Sequence, residues 1–354
     1  MTVRLGVVGL GGMGEHHART LRDLDCDLVA GADVLAEARA SFAEAFDVAT
    51  YDDHEAMYDD ADLDGVVVTT PNAFHEPVVT AALERDLATL CEKPLADSLA
   101  GAESIVEAHR ESEAFCMVGF HNRFSTAGAV LADYRECGRL GEVTHVEADY
   151  VRRRGIPGVG SWFTDRELSG GGALIDIGVH LIDFALYLAG FPTVEEVSGT
   201  TRSEFGAREE YADPDDWAGN WDTSEGTFDV EDAASAFLRC ADGTTMSLEV
   251  AWAANREPSN EVVVRGTEAG ARCTVGGDSA TLYSCETGGA DHYVDSELAG
   301  DLDPSGHAAE DARFVEAVRS GEAPAINTVE EGLAVQRVVD GIYRSSDAGE
   351  AVRL

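Results

Sequence analysis

Lysine is nearly absent from the sequence, and basic residues of either kind are scarce. The 354 residues include 25 Lys or Arg against 67 Asp or Glu, which gives a formal net charge of −42. Nucleic-acid binding requires cationic side chains that displace the counterions of phosphate, so this charge excludes a nucleic-acid partner. An anionic membrane surface repels the chain for the same reason, and we expect no membrane partner.

Long uninterrupted hydrophobic runs are also missing. The longest nearly apolar stretch, Ala173 to Phe191, is broken by Asp176, His180 and Asp183, which makes it a poor membrane span. The N-terminal run from Val3 to Leu10 is too short for a signal sequence and leads directly into glycines. These features predict a soluble protein with a cytoplasmic location.

Closely spaced cysteines are missing as well. The seven cysteines are odd in number, and no two of them stand at metal-binding or redox spacing. This distribution indicates free, mostly buried thiols and predicts no cysteine metal site. The residues are Cys26, Cys91, Cys116, Cys137, Cys240, Cys273 and Cys285.

The only lysine is Lys93, and the other 24 basic residues are arginines. Loss of lysine together with an excess of acid is typical of proteins from a high-salt cytoplasm. Molar salt shortens the Debye length to about 3 Å and screens the repulsion between carboxylates. The alternative is an acidic protein that steers a cationic ligand, but the acids are spread along the whole chain.

The first third of the chain alternates short β-branched runs with helical segments, as in a parallel sheet with crossover helices. At roughly 150 residues per domain, the length suggests two domains. The predicted strands are Arg4 to Val8, Leu28 to Ala32, Gly65 to Thr69, Ala88 to Cys91 and Phe115 to Gly119. Helices are predicted near Glu15 to Leu24, Glu37 to Ala45, Glu76 to Arg85 and Ser98 to Ser112.

The remainder is strand-rich, which predicts a mostly antiparallel sheet with helices on one face. The predicted strands are Val143 to Val151, Glu195 to Thr201, Ala233 to Cys240, Thr244 to Trp252, Glu261 to Gly266, Ala271 to Val275 and Ala280 to Ser284. Helices are predicted over Leu174 to Ala189, His307 to Ser320 and Val329 to Ser345. The acidic stretch from Glu204 to Glu231 is interpreted as a long loop or an insertion.

Residues 9–14, Gly-Leu-Gly-Gly-Met-Gly, match the dinucleotide fingerprint G-x-G-x-x-G between a first strand and a first helix. Gly9 allows a tight turn, Gly11 lets the backbone approach a pyrophosphate, and Gly14 lets the helix pack closely on the strand. Asp33 follows at the end of the next strand, where an acid binds the ribose hydroxyls and favours NAD, although NADP remains possible. A glycine-rich turn without a ligand is the alternative.

Lys93 lies in Glu92-Lys93-Pro94, at the carboxyl end of the fourth predicted strand. Ligands bind at this edge of open α/β sheets. Retention of a single lysine here indicates a need for a compact ammonium group, whose pKa burial can adjust. The alternative is a lysine that has survived on the surface by chance.

Another constellation opens the helix of the second part, after Gly170, Gly171 and Gly172. In a regular helix, Asp176, His180, Asp183 and Tyr187 share one narrow polar stripe, which suggests a wet cleft. A core histidine bonded to Asp176 is an equally acceptable interpretation. Metal ligation needs at least a third ligand, which nothing in the sequence provides. General acid–base chemistry, with a carboxylate orienting a histidine, fits a dinucleotide fold better.

These motifs occur in an order and at spacings that resemble the glucose-fructose oxidoreductase, inositol dehydrogenase and rhizopine-catabolism (Gfo/Idh/MocA) family, over nearly the whole chain. The resemblance implies a fold of class α/β plus α+β. A Rossmann domain would cover residues 1–123, and an open-faced, mostly antiparallel sheet domain for substrate binding and oligomerisation would cover residues 124–354. The last helix, about residues 329–345, would pack back on the first domain.

The resemblance also implies site residues and no metal. The catalytic group would be Lys93, Asp176 and His180. The cofactor would contact Gly9, Gly11, Gly12, Met13, Gly14, Asp33, Thr70, Pro71, Asn72, His75, Glu92 and Lys93. The substrate would contact Lys93, Asn122, Arg123, Trp162, Asp176 and His180.

The implied function is that of an NAD(P)-dependent dehydrogenase, which oxidises a hydroxyl of a sugar or cyclic polyol as inositol, glucose or xylose dehydrogenases do. The resemblance also implies that the protein forms a homodimer or homotetramer. One alternative is an NAD-dependent glycoside hydrolase of the same fold, in which the cofactor is restored within each cycle. Another is a cofactor-sensing regulator without catalysis, and a third is a metal-dependent hydrolase.

Two further features remain, and only the second, the acidic insertion, lies outside the family pattern. Arg152, Arg153 and Arg154 stand before a loop, ending at Trp162, that borders the substrate in this family. They could bind a carboxylate or phosphate on the substrate, but neutralisation of local acids is the favoured interpretation. Within the acidic insertion, no role is assigned to Trp217 or Trp221.

Overall fold

A computed structural model describes residues 2–217 and 226–354, which form two compact units. The first unit comprises Met1–Phe120 and His307–Gln336, and the second comprises His121–Gly306 and Arg337–Leu354. This grouping differs from the division expected at residue 123, because residues 307–336 belong with the first unit. Phe314 is fully buried there and packs on Phe115, with 5.9 Å between the ring centroids.

The first unit contains a six-stranded parallel sheet in the order β3-β2-β1-β4-β5-β6. Its strands are β1 Val3–Val8, β2 Cys26–Ala32, β3 Ala49–Tyr51, β4 Gly65–Val68, β5 Ala88–Glu92 and β6 Cys116–Gly119. The helices of this part are α1 Gly12–Asp23, α2 Ala36–Phe46, α3 His54–Asp60, α4 His75–Leu83 and α5 Leu99–Glu111. The central strands are apolar on both faces, as the doubly wound prediction required, and that prediction is confirmed.

The second unit contains a nine-stranded sheet in the order β14-β13-β12-β11-β7-β10-β9-β8-β15. Its neighbours are antiparallel except β7 and β10, which run parallel. The strands are β7 Val143–Val151, β8 Val194–Arg202, β9 Ala233–Cys240, β10 Thr245–Ala251, β11 Ser259–Gly266, β12 Ala269–Thr274, β13 Ser279–Glu286, β14 His292–Ala299 and β15 Val352–Arg353. The mostly antiparallel sheet predicted from the sequence is confirmed.

The second unit's helices are α6 Thr126–Glu136, α7 Arg166–Ser169 and α8 Val179–Ala189. Two further helices follow, α9 Gly306–Ser320 and α10 Val329–Ala348. The acidic stretch from Glu204 to Glu231 connects β8 to β9, and its described part contains neither helix nor strand. Residues 218–225 of this stretch, including Trp221, lie outside the described residues.

One helical stretch, Arg166–Ala189, is long and apolar enough to cross a membrane by length and composition alone, with a mean hydropathy of 1.6. Its apolar window is 83% buried inside the structure, as in the core helix of a soluble protein. The seven cysteines are all free, and four of them are buried.

Candidate active site

The glycine turn combines two glycines that the fold requires with two that it does not. Gly9 has φ +91°, and a Cβ there would lie 2.7 Å from the Thr70 backbone nitrogen. A Cβ at Gly14 would lie 2.0 Å from the Gly9 carbonyl oxygen. At Gly11 and Gly12, no heavy atom of the described residues lies within 4 Å of the Cβ position. The backbone at the start of α1 is therefore open to a ligand, and it fits the pyrophosphate of a dinucleotide.

Asp33 lies at the carboxyl end of β2, and both its carboxylate oxygens accept backbone hydrogen bonds. Oδ2 accepts from Leu10 N and Oδ1 from Leu35 N, each at 2.8 Å. The spare lone pairs can accept from ribose hydroxyls. Arg39 Nη1 donates to the carbonyl oxygens of Asp33, at 2.7 Å, and of Val34, at 3.0 Å. A cation thus lies beside the acid that is predicted to discriminate between NAD and NADP.

The loop after β4 contains the predicted ribose contacts Thr70, Pro71 and Asn72. Thr70 Oγ1 is buried and has no hydrogen-bond partner among the described residues, so a bound cofactor could satisfy it. His75 is only 1% exposed, and its Nδ1 and Nε2 each lie 2.8 Å from a carbonyl oxygen, of Pro94 and Thr70 respectively. Burial lowers the pKa of His75. The ring therefore joins two loops, and the direct cofactor contact of His75 stays a prediction.

Glu92 is the last residue of β5, and its carboxylate binds other groups of the first unit. Its Oε1 lies 3.0 Å from His17 Nε2, and its Oε2 accepts from the backbone nitrogen of the half-buried Lys93 at 3.1 Å. On the other side of His17, Nδ1 lies 2.7 Å from Asp311 Oδ1. This buried carboxylate thus holds the lysine backbone and an imidazole, and its cofactor contact stays a prediction.

His17 faces a carboxyl group at each ring nitrogen, an arrangement that favours the imidazolium because both of its nitrogens then donate. Burial alone lowers its pKa, but hydrogen bonds to Asp311 and Glu92 outweigh burial and raise the pKa well above 6.5. Burial also favours the neutral form of Glu92, but His17 holds the pKa of that carboxyl low. The pKa of Asp311 is raised by burial, so Glu92 is the firmer anionic partner.

In the second unit, the predicted helix begins with a π-helical turn, Leu174–Gly178, before α8. Asp176 lies on this turn, and its Oδ2 accepts from Trp252 Nε1 at 2.9 Å. His180 lies in the first turn of α8, and its Nδ1 lies 3.2 Å from Asn122 Nδ2. Both Asp176 and His180 are half-buried. The predicted acid–histidine pair is thus held by an indole and an amide.

In the other half of the predicted polar stripe, Asp183 does not face solvent. Asp183 is 1% exposed and accepts from Arg123 Nε at 3.1 Å, and Arg123 is equally buried. The guanidinium also lies over the rings of Tyr187 and Phe191, at 5.1 and 4.7 Å from their centroids. Arg123 thus forms a buried ion pair with α8, and its substrate contact stays a prediction.

Two of the three glycines before the π turn are needed for close packing. A Cβ at Gly171 would lie 2.0 Å from Tyr343 Oη, and a Cβ at Gly172 would lie 1.9 Å from the Glu231 carbonyl oxygen. Glu231 Oε1 accepts from Gly172 N, Leu174 N and Tyr343 Oη at 2.9 to 3.0 Å. This buried carboxylate fixes the start of the helical segment that carries Asp176.

Trp252, Glu231 and Tyr343 were missed in the sequence. Trp252 offered a weak signal, because a tryptophan at the end of a buried strand needs an acceptor for its N–H.

Trp162, a predicted substrate residue, is half-buried and stacks on Phe163 with 3.9 Å between ring centroids. Lys93 belongs to the first unit, and Asp176 and His180 to the second. Their convergence stays a prediction.

The variant Trp252→Phe tests the contact to Asp176. We expect kcat to fall about 10-fold, since removal of a hydrogen bond to a charged group costs about 1.5–3 kcal/mol. Phenylalanine keeps most of the buried ring, so the melting temperature should change much less than in Trp252→Ala. Steady-state kinetics and thermal unfolding measure the two effects. Wild-type kcat in Trp252→Phe would show that the indole N–H does not support the aspartate.

The first unit has a parallel sheet with a glycine turn after β1 and an acid after β2. The second unit has a sheet and carries an acid–histidine pair. Together these features define a dinucleotide-dependent oxidoreductase. The chain belongs to the Gfo/Idh/MocA oxidoreductase family. Residues 3–120 match its NAD-binding Rossmann fold, and residues 130–272 match a Gfo/Idh/MocA C-terminal domain.

Relatives align over most of this chain. It is 31% identical to D-glucoside 3-dehydrogenase of Escherichia coli over 99% of this chain and 97% of that protein. It is 34% identical to a putative UDP-kanosamine synthase oxidoreductase subunit of Amycolatopsis mediterranei, over 78% of this chain and 76% of that protein. A structure of levoglucosan dehydrogenase in complex with NADH has a TM-score of 0.87 at 23% identity, covering 100% of this chain and 99% of that one, and it shows the fold.

Proposed function

We propose that the protein oxidises a secondary or hemiacetal hydroxyl of a sugar or cyclic polyol, with NAD as the favoured cofactor and NADP possible. The observation that carries this proposal is the acid–histidine pair of the second unit, fixed by Trp252 and Asn122, in a chain with an open dinucleotide turn. The names of the relatives, a glucoside dehydrogenase and a levoglucosan dehydrogenase, support a carbohydrate hydroxyl as the reacting group.

The bound cofactor would supply the hydride acceptor, at the nicotinamide C4. His180 takes the proton of the substrate hydroxyl, and Asp176 stabilises the charged imidazole. Lys93 donates to the same oxygen and favours the developing alkoxide. Gly11, Gly12 and Met13 would contact the pyrophosphate, and Asn122, Trp162 and Asp176 would contact the sugar.

Asn122 can serve either neutral tautomer of His180. In the present geometry its amide nitrogen faces Nδ1, so Nδ1 accepts and the neutral ring carries its hydrogen on Nε2. If the amide turns over, its oxygen accepts from Nδ1–H, and Nε2 becomes the base. Only the second arrangement leaves Nε2 free to take the proton of the substrate hydroxyl, and the imidazolium that results can return this proton when a ketone is reduced.

The test is an absorbance assay at 340 nm on a panel of sugars, sugar acids and inositols, with NAD and NADP in parallel. Reduction of the cofactor by at least one carbohydrate supports the proposal. Cleavage of a glycoside without net absorbance change would instead identify the NAD-dependent hydrolase. Absence of both reactions across the panel would overturn the proposed function.

We also propose that the protein works in a high-salt cytoplasm, which its 67 acids and single lysine support. Molar KCl screens the repulsion between carboxylates, so the melting temperature should rise by roughly 10 °C between 0.1 and 2 M KCl, at about 2–4 °C per kcal/mol. Differential scanning calorimetry at both salt concentrations measures this shift. A melting temperature that falls or stays constant in KCl would contradict the salt adaptation.

A homodimer or homotetramer is part of the same proposal. It is supported by strand β14 at one edge of the open sheet, in which half-buried and exposed residues alternate. Sedimentation velocity in 2 M KCl distinguishes these states from a monomer. A monomer at micromolar concentration would contradict the proposed assembly.

A further inference from the structure

Three consecutive arginines follow β7, in a protein with 67 acidic residues. The interpretation favoured from the sequence was that Arg152, Arg153 and Arg154 neutralise local acids. Within the described part of the chain, however, no carboxylate lies within ion-pair distance of any of the three. Most other arginines described here do form ion pairs, for example Arg256 with Asp149 at 3.3 Å. These cations therefore need another explanation.

Arg154 has a structural role. Its Nε donates to the carbonyl oxygen of Ala212 at 2.8 Å, and its Nη2 donates to Asn255 Oδ1 at 2.9 Å. The guanidinium also lies over the rings of Phe205 and Tyr211, at 5.0 and 5.6 Å from their centroids. Arg154 thus fastens the described part of the acidic insertion to the end of the sheet.

Arg152 is held differently. Its Cζ lies 5.5 Å from the Tyr150 ring centroid and 5.0 Å from that of Trp217, while Nη1 donates to the Gly155 carbonyl oxygen at 3.3 Å. Aromatic contacts use the faces of a guanidinium, whereas its five N–H groups lie in its plane. The contact to Gly155 uses one edge position. The remaining in-plane donors have the fork geometry that binds a carboxylate or phosphate through two oxygens.

The position of Arg152 relates it to the acid–histidine pair of its own unit. Strands β7 and β10 are parallel, Val151 pairs with Ala251, and Arg152 N donates to the Ala251 carbonyl oxygen at 2.8 Å. Arg152 therefore leaves the sheet beside Trp252, one strand spacing of about 4.8 Å away. Trp252 is the residue that holds Asp176.

The alternation of side chains along β7 indicates on which face of the sheet the side chain of Arg152 lies. Val146 and Ala148 are buried under α8, and Tyr150 and Arg152 follow at the same parity. The side chain of Arg152 thus belongs to the face of the sheet on which α8 packs, and the helical segment with Asp176 and His180 lies on that face. A half-buried guanidinium at this place, in a chain with a net charge of −42, supplies the local attraction that an anionic substrate would need.

We propose that Arg152 binds an anionic group of the substrate, so that the natural substrate is a sugar or polyol carrying a carboxylate or a phosphate. This inference rests on the proposed dehydrogenase function and specifies its substrate class. The exposed ring surface of Trp217, which is 57% exposed, lies beside the guanidinium and can cover the C–H face of a sugar.

The test compares kcat/KM for a neutral hexose, the hexuronate, the aldonate and the hexose 6-phosphate, with the wild type, Arg152→Gln and Arg152→Lys. The wild type should prefer at least one anionic sugar to the neutral hexose, and the preferred anion identifies carboxylate or phosphate as the source. In Arg152→Gln this preference should fall about 30-fold, the loss typical for hydrogen bonds to a charged group. Arg152→Lys keeps the positive charge but lacks the two parallel N–H donors of the guanidinium. Its preference for the anionic sugar should lie between those of the wild type and Arg152→Gln.

Arg256→Gln is the matched control, since it removes a cation already paired with Asp149 and should keep the wild-type preference. A wild type that oxidises the neutral hexose as well as every anionic sugar would overturn the inference while leaving the dehydrogenase intact. An unchanged preference in a folded Arg152→Gln would overturn it too. The wild-type comparison needs no variant, so it decides even if Arg152→Gln fails to fold. If no sugar reduces either cofactor, the proposed function itself fails.

Discussion

Replacing Lys93 by methionine is expected to lower kcat by about 10²- to 10³-fold, the usual loss when one donor to a developing oxyanion is removed. Methionine keeps the apolar stem but lacks the ammonium that would donate to the reacting oxygen. Cofactor binding should persist, because the glycine turn and Asp33 are unchanged. Steady-state kinetics with the best sugar of the panel gives kcat, and a fluorescence titration with NADH gives the binding constant.

Two variants serve as controls for this prediction. Lys93→Arg retains the charge with a bulkier, planar group and should recover only part of the activity. Arg85→Gln removes a cation of the same unit that pairs with Glu55 and Asp59, and it should keep the wild-type kcat. Wild-type turnover in Lys93→Met would remove the lysine from the mechanism.

The variant His17→Gln should show the largest loss of stability. His17 is fully buried between Glu92 and Asp311, and its removal leaves two buried carboxylates without their cation. Breaking a buried ion pair in this way costs about 3–5 kcal/mol. Urea unfolding at neutral pH measures the difference in free energy. The double variant with Asp311→Asn removes one of the orphaned charges, so it should regain part of the loss.

The same cluster predicts a dependence of stability on pH. Because the folded-state pKa of His17 is raised above its unfolded value of about 6.5, its contribution is complete below pH 6.5. The contribution is lost as the pH rises through the folded-state pKa. The difference in stability between wild type and His17→Gln should therefore shrink at alkaline pH. A constant difference from pH 6 to pH 10 would show that His17 is not held as an imidazolium.

Most of the fold could be predicted from the sequence because its hydrophobic periods are regular. All five strands predicted in the first third are present, and only β3 was missed there. Strand β3 has three residues, none of them fully buried, so it leaves no periodic signal. Helix α3 was missed as well, and in the second unit α6, α7, β14 and β15 were missed. The pattern of β14 alternates half-buried and exposed residues, which a mostly polar composition conceals.

The site was predicted less completely, because long-range partners decide what each polar side chain does. His75, Glu92 and Arg123 were placed near ligands from their motifs, yet each is buried against groups distant in sequence. The π turn at Leu174–Gly178 could not be foreseen either, since it depends on Glu231 and Tyr343 packing against glycines. The assumption of regular helical spacing therefore overestimated the number of residues in the polar stripe, because Asp183 belongs to the core.

The most direct test of the account follows the hydride itself. A sugar deuterated at the reacting carbon is incubated with the enzyme and NAD in molar KCl, and the reduced cofactor is analysed by mass spectrometry. We expect deuterium in the reduced nicotinamide together with a ketone or lactone product. A reduced cofactor without deuterium, or a sugar that is consumed while the cofactor stays oxidised, would contradict hydride transfer from substrate to nicotinamide.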